Sequence, residues 1–341
     1  MTSKTDASAL RGDAPPQPRA TGTVDALVGD PEPGNGIGEA TGKAILIGEH
    51  SVVYGHPAIA LPITSIAARA EAAATSRASR IDSELFHGPL DAAPARLLPT
   101  VTAVRTALAS AGAPDARLHV RIHSDIPSER GVGSSAAVAA AVVTAVSGAL
   151  GRDLDPDERF ALIQDAERAA HGAPSGLDAR AVCAPGPIWF RRGSVEPITV
   201  GTALHFVVAD SGVRGRTREA VGAVRSLRES SPEVFDRAVG ALAELTAQAR
   251  ADISHGDLDG LGSAMDAAHR HLGTLGVGDP ALDHLAAAAR AAGAAGAKLT
   301  GGGRGGCVIA LAHDPEHAAT VVRRMRTAGA PAAWTTHMEV A

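Results

Sequence analysis

Ile126-Pro127-Ser128-Glu129-Arg130-Gly131-Val132-Gly133-Ser134-Ser135-Ala136-Ala137 follows a strand pattern, Leu118-His119-Val120-Arg121-Ile122-His123, and leads into an unbroken run of small helix formers that ends at Ala149. Two glycines and two serines therefore stand at the mouth of a helix. There, backbone N–H groups lack partners and the helix dipole favours an anion. Glycine lets the backbone come close to that anion, and serine hydroxyls can hydrogen-bond phosphate or ligate Mg²⁺. The segment reads as a phosphate cradle, with an ordinary strand-to-helix turn as the alternative on these residues alone.

Two other glycine-bearing stretches do not qualify. Gly38-Glu39-Ala40-Thr41-Gly42-Lys43-Ala44 resembles a P-loop, but its spacer is one residue short and it ends in Ala44 where Ser or Thr would hold Mg²⁺. Gly34-Asn35-Gly36-Ile37-Gly38 lacks the spacing of a dinucleotide fingerprint and has no strand before it.

The 341 residues suit two domains. At 45% hydrophobic and only 2% aromatic residues, their cores must be aliphatic. A net charge of −5 with no basic stripe argues against nucleic acid as a partner. No apolar run approaches the roughly 18 residues of a membrane span. Cys183 and Cys307 lie far apart without a Cys-x-x-Cys pattern and read as thiols of a reducing compartment, the cytoplasm. Met1 to Glu39 is polar, is neither a signal nor a transit peptide, and is expected to be a disordered tail. Of 32 basic residues only Lys4, Lys43 and Lys298 are lysine. Two of them fall in glycine-bearing segments, which suggests sites that want a compact point charge.

Along the chain, a buried strand is expected at 44–47, strand pieces and a turn over 51–61, a strand over 63–74 and a helix over 99–112. After the strand at 118–123 and the helix at 135–149, Asp155-Pro156-Asp157-Glu158 opens a helix to about Ala170. A loop over 171–178 and strands around 179–190 follow. The domain change falls near 200, giving units 40–200 and 201–341. The second holds a strand at 204–210, helices at 217–229, 232–254, 257–275 and 279–292, strands at 296–299 and 307–312 around a glycine loop, a helix at 314–328 and a strand at 332–338. This irregular alternation points to an α+β fold.

Three further segments can carry chemistry. Gly42-Lys43-Ala44-Ile45-Leu46-Ile47-Gly48-Glu49-His50 sets a lysine before a strand and a Gly-Glu-His triplet after it. Pro174-Ser175-Gly176-Leu177-Asp178 fixes a carboxylate with a stiff turn, as a base or metal ligand requires, and Glu167 supplies a second carboxylate. Lys298-Leu299-Thr300-Gly301-Gly302-Gly303-Arg304-Gly305-Gly306-Cys307 puts five glycines in six positions, more than a plain turn needs. The excess favours close approach to a ligand or another loop.

Together these four segments resemble the GHMP kinases, named for galactokinase, homoserine, mevalonate and phosphomevalonate kinases, over roughly residues 40–340. Within the family the resemblance is to the branch that acts on mevalonate. Ser51-Val52-Val53-Tyr54 stands where a galactokinase would carry Thr-Asp-Tyr, and Asp210-Ser211-Gly212-Val213-Arg214-Gly215-Arg216-Thr217-Arg218 is similar to the corresponding mevalonate-branch segment. The chain departs from the pattern at Thr41 and Arg214, where proline is usual, at Ser128-Glu129-Arg130, where small residues are usual, and at Arg304, which interrupts the last glycine loop. Arg130, Arg214 and Arg304 are therefore candidates to alter nucleotide affinity or sensitivity to downstream inhibitors.

The resemblance implies a two-domain fold, ribosomal-protein-like then ferredoxin-like, that transfers the γ-phosphoryl group of ATP to the 5-hydroxyl of mevalonate. Gly131, Val132, Gly133, Ser134, Ser135, Ala136 and Ala137 would cradle the phosphates, with Gly301, Gly302 and Gly303 closing over them. Ser135 and Glu167 would hold Mg²⁺. Asp178 would accept or orient the hydroxyl proton beside Lys43. His50 and Thr217 would contact mevalonate, with Glu49 structurally or indirectly involved. Another kinase of the family, for phosphomevalonate or a sugar, and a non-catalytic ligand sensor remain as alternatives. The oligomeric state stays open, a homodimer among the options.

Overall fold

The computed structural model describes residues 34–172 and 174–340. The chain opens with β1 (Asn35–Ile47), a short 3-10 turn (Ser51–Tyr54) and β2 (Ala58–Ala74), then β3 (Arg80–Ser83), β4 (Phe86–Pro89), α1 (Leu98–Ser110) and β5 (Leu118–Ser124). α2 (Ser134–Ala149), α3 (Pro156–His171), α4 (Leu177–Ala181), β6 (Ile188–Arg191) and β7 (Ser194–Pro197) complete the first half. The second holds β8 (Leu204–Asp210), α5 (Thr217–Ser230), α6 (Pro232–His255), α7 (Leu258–Thr274), α8 (Pro280–Ala291), β9 (Gly296–Thr300), β10 (Cys307–Ala312), α9 (Pro315–Thr327) and β11 (Ala333–Met338).

Seven strands form the first sheet, in the order β4-β3-β5-β2-β6-β7 with β1 also against β2. β2 organises it: β1 pairs antiparallel along nearly its whole length, β5 pairs with residues 68–74 and β6 with 58–60. The second sheet runs β11-β8-β10-β9, all antiparallel. Counted by chain position its strands lie 4-1-3-2, and with helices between first and second and between third and fourth this is the ferredoxin-like arrangement. The fold is α+β in both halves, as expected. Aliphatic side chains of both halves merge into one core, and no described helix is long and apolar enough to cross a membrane.

Two expectations need correction. Residues 1–33 of the expected tail lie outside the described residues, but residues 35–39 open β1. Over residues 35–40 the buried positions are Gly36, Gly38 and Ala40, alternating with exposed Asn35, Ile37 and Glu39. The period of two is thus carried by small residues, which a hydrophobicity pattern does not register. The cause is α2. A Cβ at Gly36 would stand 2.0 Å from the Ala145 carbonyl oxygen, and one at Gly38 2.1 Å from that of Ala141. Likewise, residues 177–181 are helix, where the end of a loop and, from about 179, a strand were expected. Leu177, Ala179 and Ala181 are buried in a strand-like alternation, but Gly176, at φ 89°, turns the chain into a single helical turn. The β3–β4 hairpin carried no signal in the sequence. The start of α3, by contrast, is a capping box: Asp155 accepts from the N–H groups of Asp157 and Glu158 behind Pro156.

The close approach of β1 to α2 gives a test. Gly38→Ala is expected to lower the unfolding free energy by about 1–3 kcal/mol, the usual cost of overpacking. Gly222→Ala, on α5 where nothing lies within 4 Å of an added Cβ, is expected to raise it by about 0.5–1 kcal/mol. Urea melts of both variants beside the wild type check the two signs.

Candidate active site

The mouth of α2 is open. Gly133 precedes the helix at φ 82° and no side chain caps it. The first helical bond runs from Ala137 N–H to Gly133 C=O at 2.9 Å, which leaves the amides of Ser134, Ser135 and Ala136 directed outward. Gly131 is also left-handed, at φ 77°, so both glycines of the loop are required by its backbone. The two serines divide. Ser134 donates to the Ile126 carbonyl within its own loop (3.3 Å), while Ser135 donates to Glu167 Oε1 on α3 at 2.6 Å.

Lys43 reaches this mouth from β1. Its Nζ lies 3.0 Å from Asp178 Oδ1 and donates to the Gly131 carbonyl at 3.1 Å, while its backbone N–H donates to Val132 O at 3.0 Å. The residue is only 2% exposed, and its stem fills the space a side chain at Gly133 would need: a Cβ there would meet Lys43 Cγ at 2.8 Å. Asp178 sits in the first turn of α4 with its side chain 41% exposed, open to a substrate.

The second half closes on this arrangement through the glycine loop. A Cβ at Gly301 would come within 3.0 Å of the Gly131 carbonyl oxygen, so the two glycine loops touch backbone to backbone. The neighbouring Gly302 joins the expected acceptor residues. Its carbonyl accepts from His50 Nε2 at 2.9 Å, and a Cβ on it would fall 2.4 Å from Thr217 Oγ1 at the start of α5. His50 holds φ 61°, an uncommon conformation for a non-glycine residue. Thr300 fastens the seam by accepting from the Ile45 N–H (2.9 Å) and donating to the Ile45 carbonyl (3.0 Å).

Glu49 is turned away from this surface. It is 1% exposed and forms a hydrogen-bonded ion pair with Lys298 of β9, which is fully buried. Burial pushes the Glu49 carboxyl up and the Lys298 ammonium down, each opposed by the other's charge. The motif around Lys298 assigns it no role in the sequence; the signal available there is that it is one of three lysines. The arginines that depart from the family pattern tie loops together. Arg130 Nε lies 2.8 Å from Asp210 Oδ2 and Arg214 3.2 Å from Glu129. Arg304 Nε donates to the Gly276 carbonyl at 3.1 Å.

An uncapped helix mouth, a buried lysine held on a carboxylate beside it, and a second half that closes over both define a small-molecule kinase built without a Walker loop. The family models agree: GHMP kinases N terminal domain matches residues 99–186 and GHMP kinases C terminal matches 238–331. A mevalonate kinase of Thermococcus sibiricus is 34% identical over 314 residues, covering 86% of this chain and 93% of that one. One of Pyrococcus furiosus is 36% identical over 310 residues, covering 84% and 92%. The crystal structure of L. major mevalonate kinase in complex with R-mevalonate superposes with a TM-score of 0.79 at 26% identity, covering 92% and 99%. The chain belongs to the GHMP kinase family.

His50 gives a pH test. Burial lowers its pKa below 6.5, with the Gly302 carbonyl opposing. On acidification the unfolded chain therefore binds this proton first, and stability is lost as pH falls below 6.5 toward the folded-state value. Melting temperatures between about pH 7.5 and about pH 5.5 are expected to fall less steeply for His50→Gln than for the wild type.

Proposed function

We propose that this chain is an alcohol phosphotransferase that moves the γ-phosphoryl group of ATP to the 5-hydroxyl of mevalonate, a cytoplasmic step of isoprenoid precursor synthesis. The observation that carries this is the buried Lys43, held 3.0 Å from Asp178 at the open end of α2. Curated mevalonate kinases similar over most of the chain support the choice of acceptor.

Phosphoryl transfer asks chiefly for positioning and charge stabilisation. In this proposal residues 40–200 carry the phosphate and acceptor groups and residues 201–341 close over them. The amides from Gly131 to Ala137 take the phosphates, and the Gly301–Gly303 loop covers them. Asp178 accepts or orients the proton of the attacking hydroxyl. Lys43 holds Asp178 in place and offsets charge on the transferring group. His50 and Thr217, which meet at Gly302, contact mevalonate. Arg214 and Arg216, the cations a second phosphate would call on, face Glu129 (3.2 Å) and Glu219 (3.4 Å) in solvent-exposed pairs.

Ser135 and Glu167 fit Mg²⁺. Both donors are hard oxygens, and they meet beside the phosphate-facing amides. Among the described residues no cluster of three His, Cys, Asp or Glu side chains could hold a metal alone. That suits an ion that takes one or two protein ligands and completes its shell with phosphate and water. Bound there, Mg²⁺ would neutralise phosphate charge.

An ADP-release assay with mevalonate, phosphomevalonate and galactose tests the acceptor, and turnover is expected with mevalonate alone. Preference for another acceptor would move the chain to another branch, and no turnover with any would leave a ligand sensor. Asp178→Asn is expected to cut turnover about 10²–10⁴-fold while nucleotide binding persists. A second measurement addresses the metal: Glu167→Gln is expected to shift the Mg²⁺ dependence of turnover to higher concentration. Superimposable Mg²⁺ titrations would remove Glu167 from the metal site.

A further inference from the structure

We propose that Arg130 is a positioning residue for phosphoryl transfer: its ion pair with Asp210 of the second half places the Gly131 carbonyl that receives the Lys43 ammonium. Each link is a contact. Arg130 Nε donates to Asp210 Oδ2 at 2.8 Å, Gly131 follows Arg130 in the chain, and the Gly131 carbonyl accepts from Lys43 Nζ at 3.1 Å. Lys43 Nζ in turn lies 3.0 Å from Asp178 Oδ1.

Gly131 has no side chain to hold it, and glycine leaves a φ of 77° as readily as it adopts it. Its carbonyl is therefore placed by its neighbours. On one side Val132 is buried in the core, and its own carbonyl accepts from the Lys43 N–H at 3.0 Å. On the other side Arg130 reaches across to β8. With the ion pair broken, one of these two anchors is gone, and the peptide between Arg130 and Gly131 is free to turn its oxygen away from Lys43. The ammonium, on a flexible four-carbon stem, then keeps Asp178 but loses the acceptor that fixes its direction.

Both ends of the pair are built to hold. Asp210 ends β8, an interior strand of the second sheet, and is 6% exposed. Its Oδ1 accepts from the Gly212 N–H at 2.8 Å, which leaves Oδ2 for Arg130. Glu129, just before Arg130, holds φ 59°, a conformation that a non-glycine residue keeps where its surroundings over-determine it. The Gly215 N–H on the Glu129 carbonyl, at 2.9 Å, and the Arg130–Asp210 pair supply that determination.

The test uses the full-length chain, whose three lysines give three side-chain signals when labelled with ¹³C-lysine. Lys43 and Lys298 are assigned by their own substitutions. Two variants break the pair from opposite ends. Arg130→Met keeps the stem and removes the cation; Asp210→Ala removes the anion, and the exposed Gly212 can turn to water for its lost acceptor. In both, the Lys43 ε-methylene signal is expected to move by more than its linewidth and in the same direction, as loss of the Gly131 carbonyl requires. A field effect alone would send it opposite ways, because one variant deletes a positive charge and the other a negative one. Arg214→Met breaks the exposed Arg214–Glu129 pair of the same seam and is expected to leave the Lys43 signal in place.

The kinetic arm rests on the proposed function. With mevalonate, each of the two variants is expected to lower kcat about tenfold or more, as a displaced catalytic group does. The double variant is expected to lose no more than the worse single one, since both cut the same link. A Lys43 signal unmoved in folded Arg130→Met, shifts of opposite sign in the two variants, an equal shift in Arg214→Met, or fully additive losses of kcat would each overturn the proposal. Should Arg130→Met not fold, Arg130→Gln carries the same comparison. A wild type inactive on mevalonate would refute the acceptor assignment and leave the spectroscopic result standing.

Discussion

Gly131 and Gly301 belong to loops from opposite halves of the chain, and they pack backbone against backbone because neither has a Cβ. The candidate site lies where that contact is made. Around it, Gly306 N–H donates to Val213 O (2.8 Å), Ser211 N–H to Gly306 O (2.9 Å) and Gly215 N–H to Glu129 O (2.9 Å). His50 and Thr217 meet at Gly302 for the same reason. Gly301, Gly303, Gly305 and Gly306 all hold positive φ, so the loop gives up a large share of glycine's unfolded-state freedom. The bonds of Gly306 within the second half, and of Gly215 to Glu129 across the seam, offset that cost. Neither half carries the site by itself, and the site, more than either fold, is what argues for function.

The choice of cation follows from the space around each group. Lys43 lies in a slot under Gly133 that a planar guanidinium would not fill in the same way. The arginines stand at the rim, where fork-shaped donors can bridge loops. Glu129, at φ 59°, offers its carbonyl to Gly215 and its carboxylate to Arg214. Arg130 pairs with Asp210 at the end of β8. The departures Glu129, Arg130 and Arg214 thus form a linked set: where the family pattern has small residues and proline, this chain ties the loop before α2 to β8 and the β8–α5 loop by charge.

Much of this was legible in the sequence. Helices α5 to α9 carry a clear 3.6-residue pattern and sit close to the expected bounds. The loop before α2 declares its backbone by glycines at a strand-to-helix junction, where local chemistry decides. The start of β1 was hidden because Gly36 and Gly38 are placed by the nearness of α2, a tertiary constraint that opposes strand propensity. α4 was hidden because five residues are too few to show a period. The Glu49–Lys298 pair joins positions 249 residues apart. No local pattern encodes such a distance, and only the scarcity of lysine marked one end of it.

That scarcity bears on how the seam finds its register. All five residues of β9, Gly296 to Thr300, are buried. Alternation of apolar and polar faces, which ordinarily penalises a one-residue slip, therefore cannot fix the strand. Its two polar side chains can. Lys298 is accommodated only opposite Glu49, and Thr300 finds both Ile45 backbone groups only in the observed alignment against β10. A slip by one residue would bury an unpaired ammonium and an unpaired carboxylate, and breaking such a pair costs on the order of 3–5 kcal/mol. The ion pair adds little net stability over an apolar pair, yet it penalises the wrong alignment heavily. Because Gly301 follows Thr300 directly, the alignment of β9 also sets where the glycine loop meets Gly131.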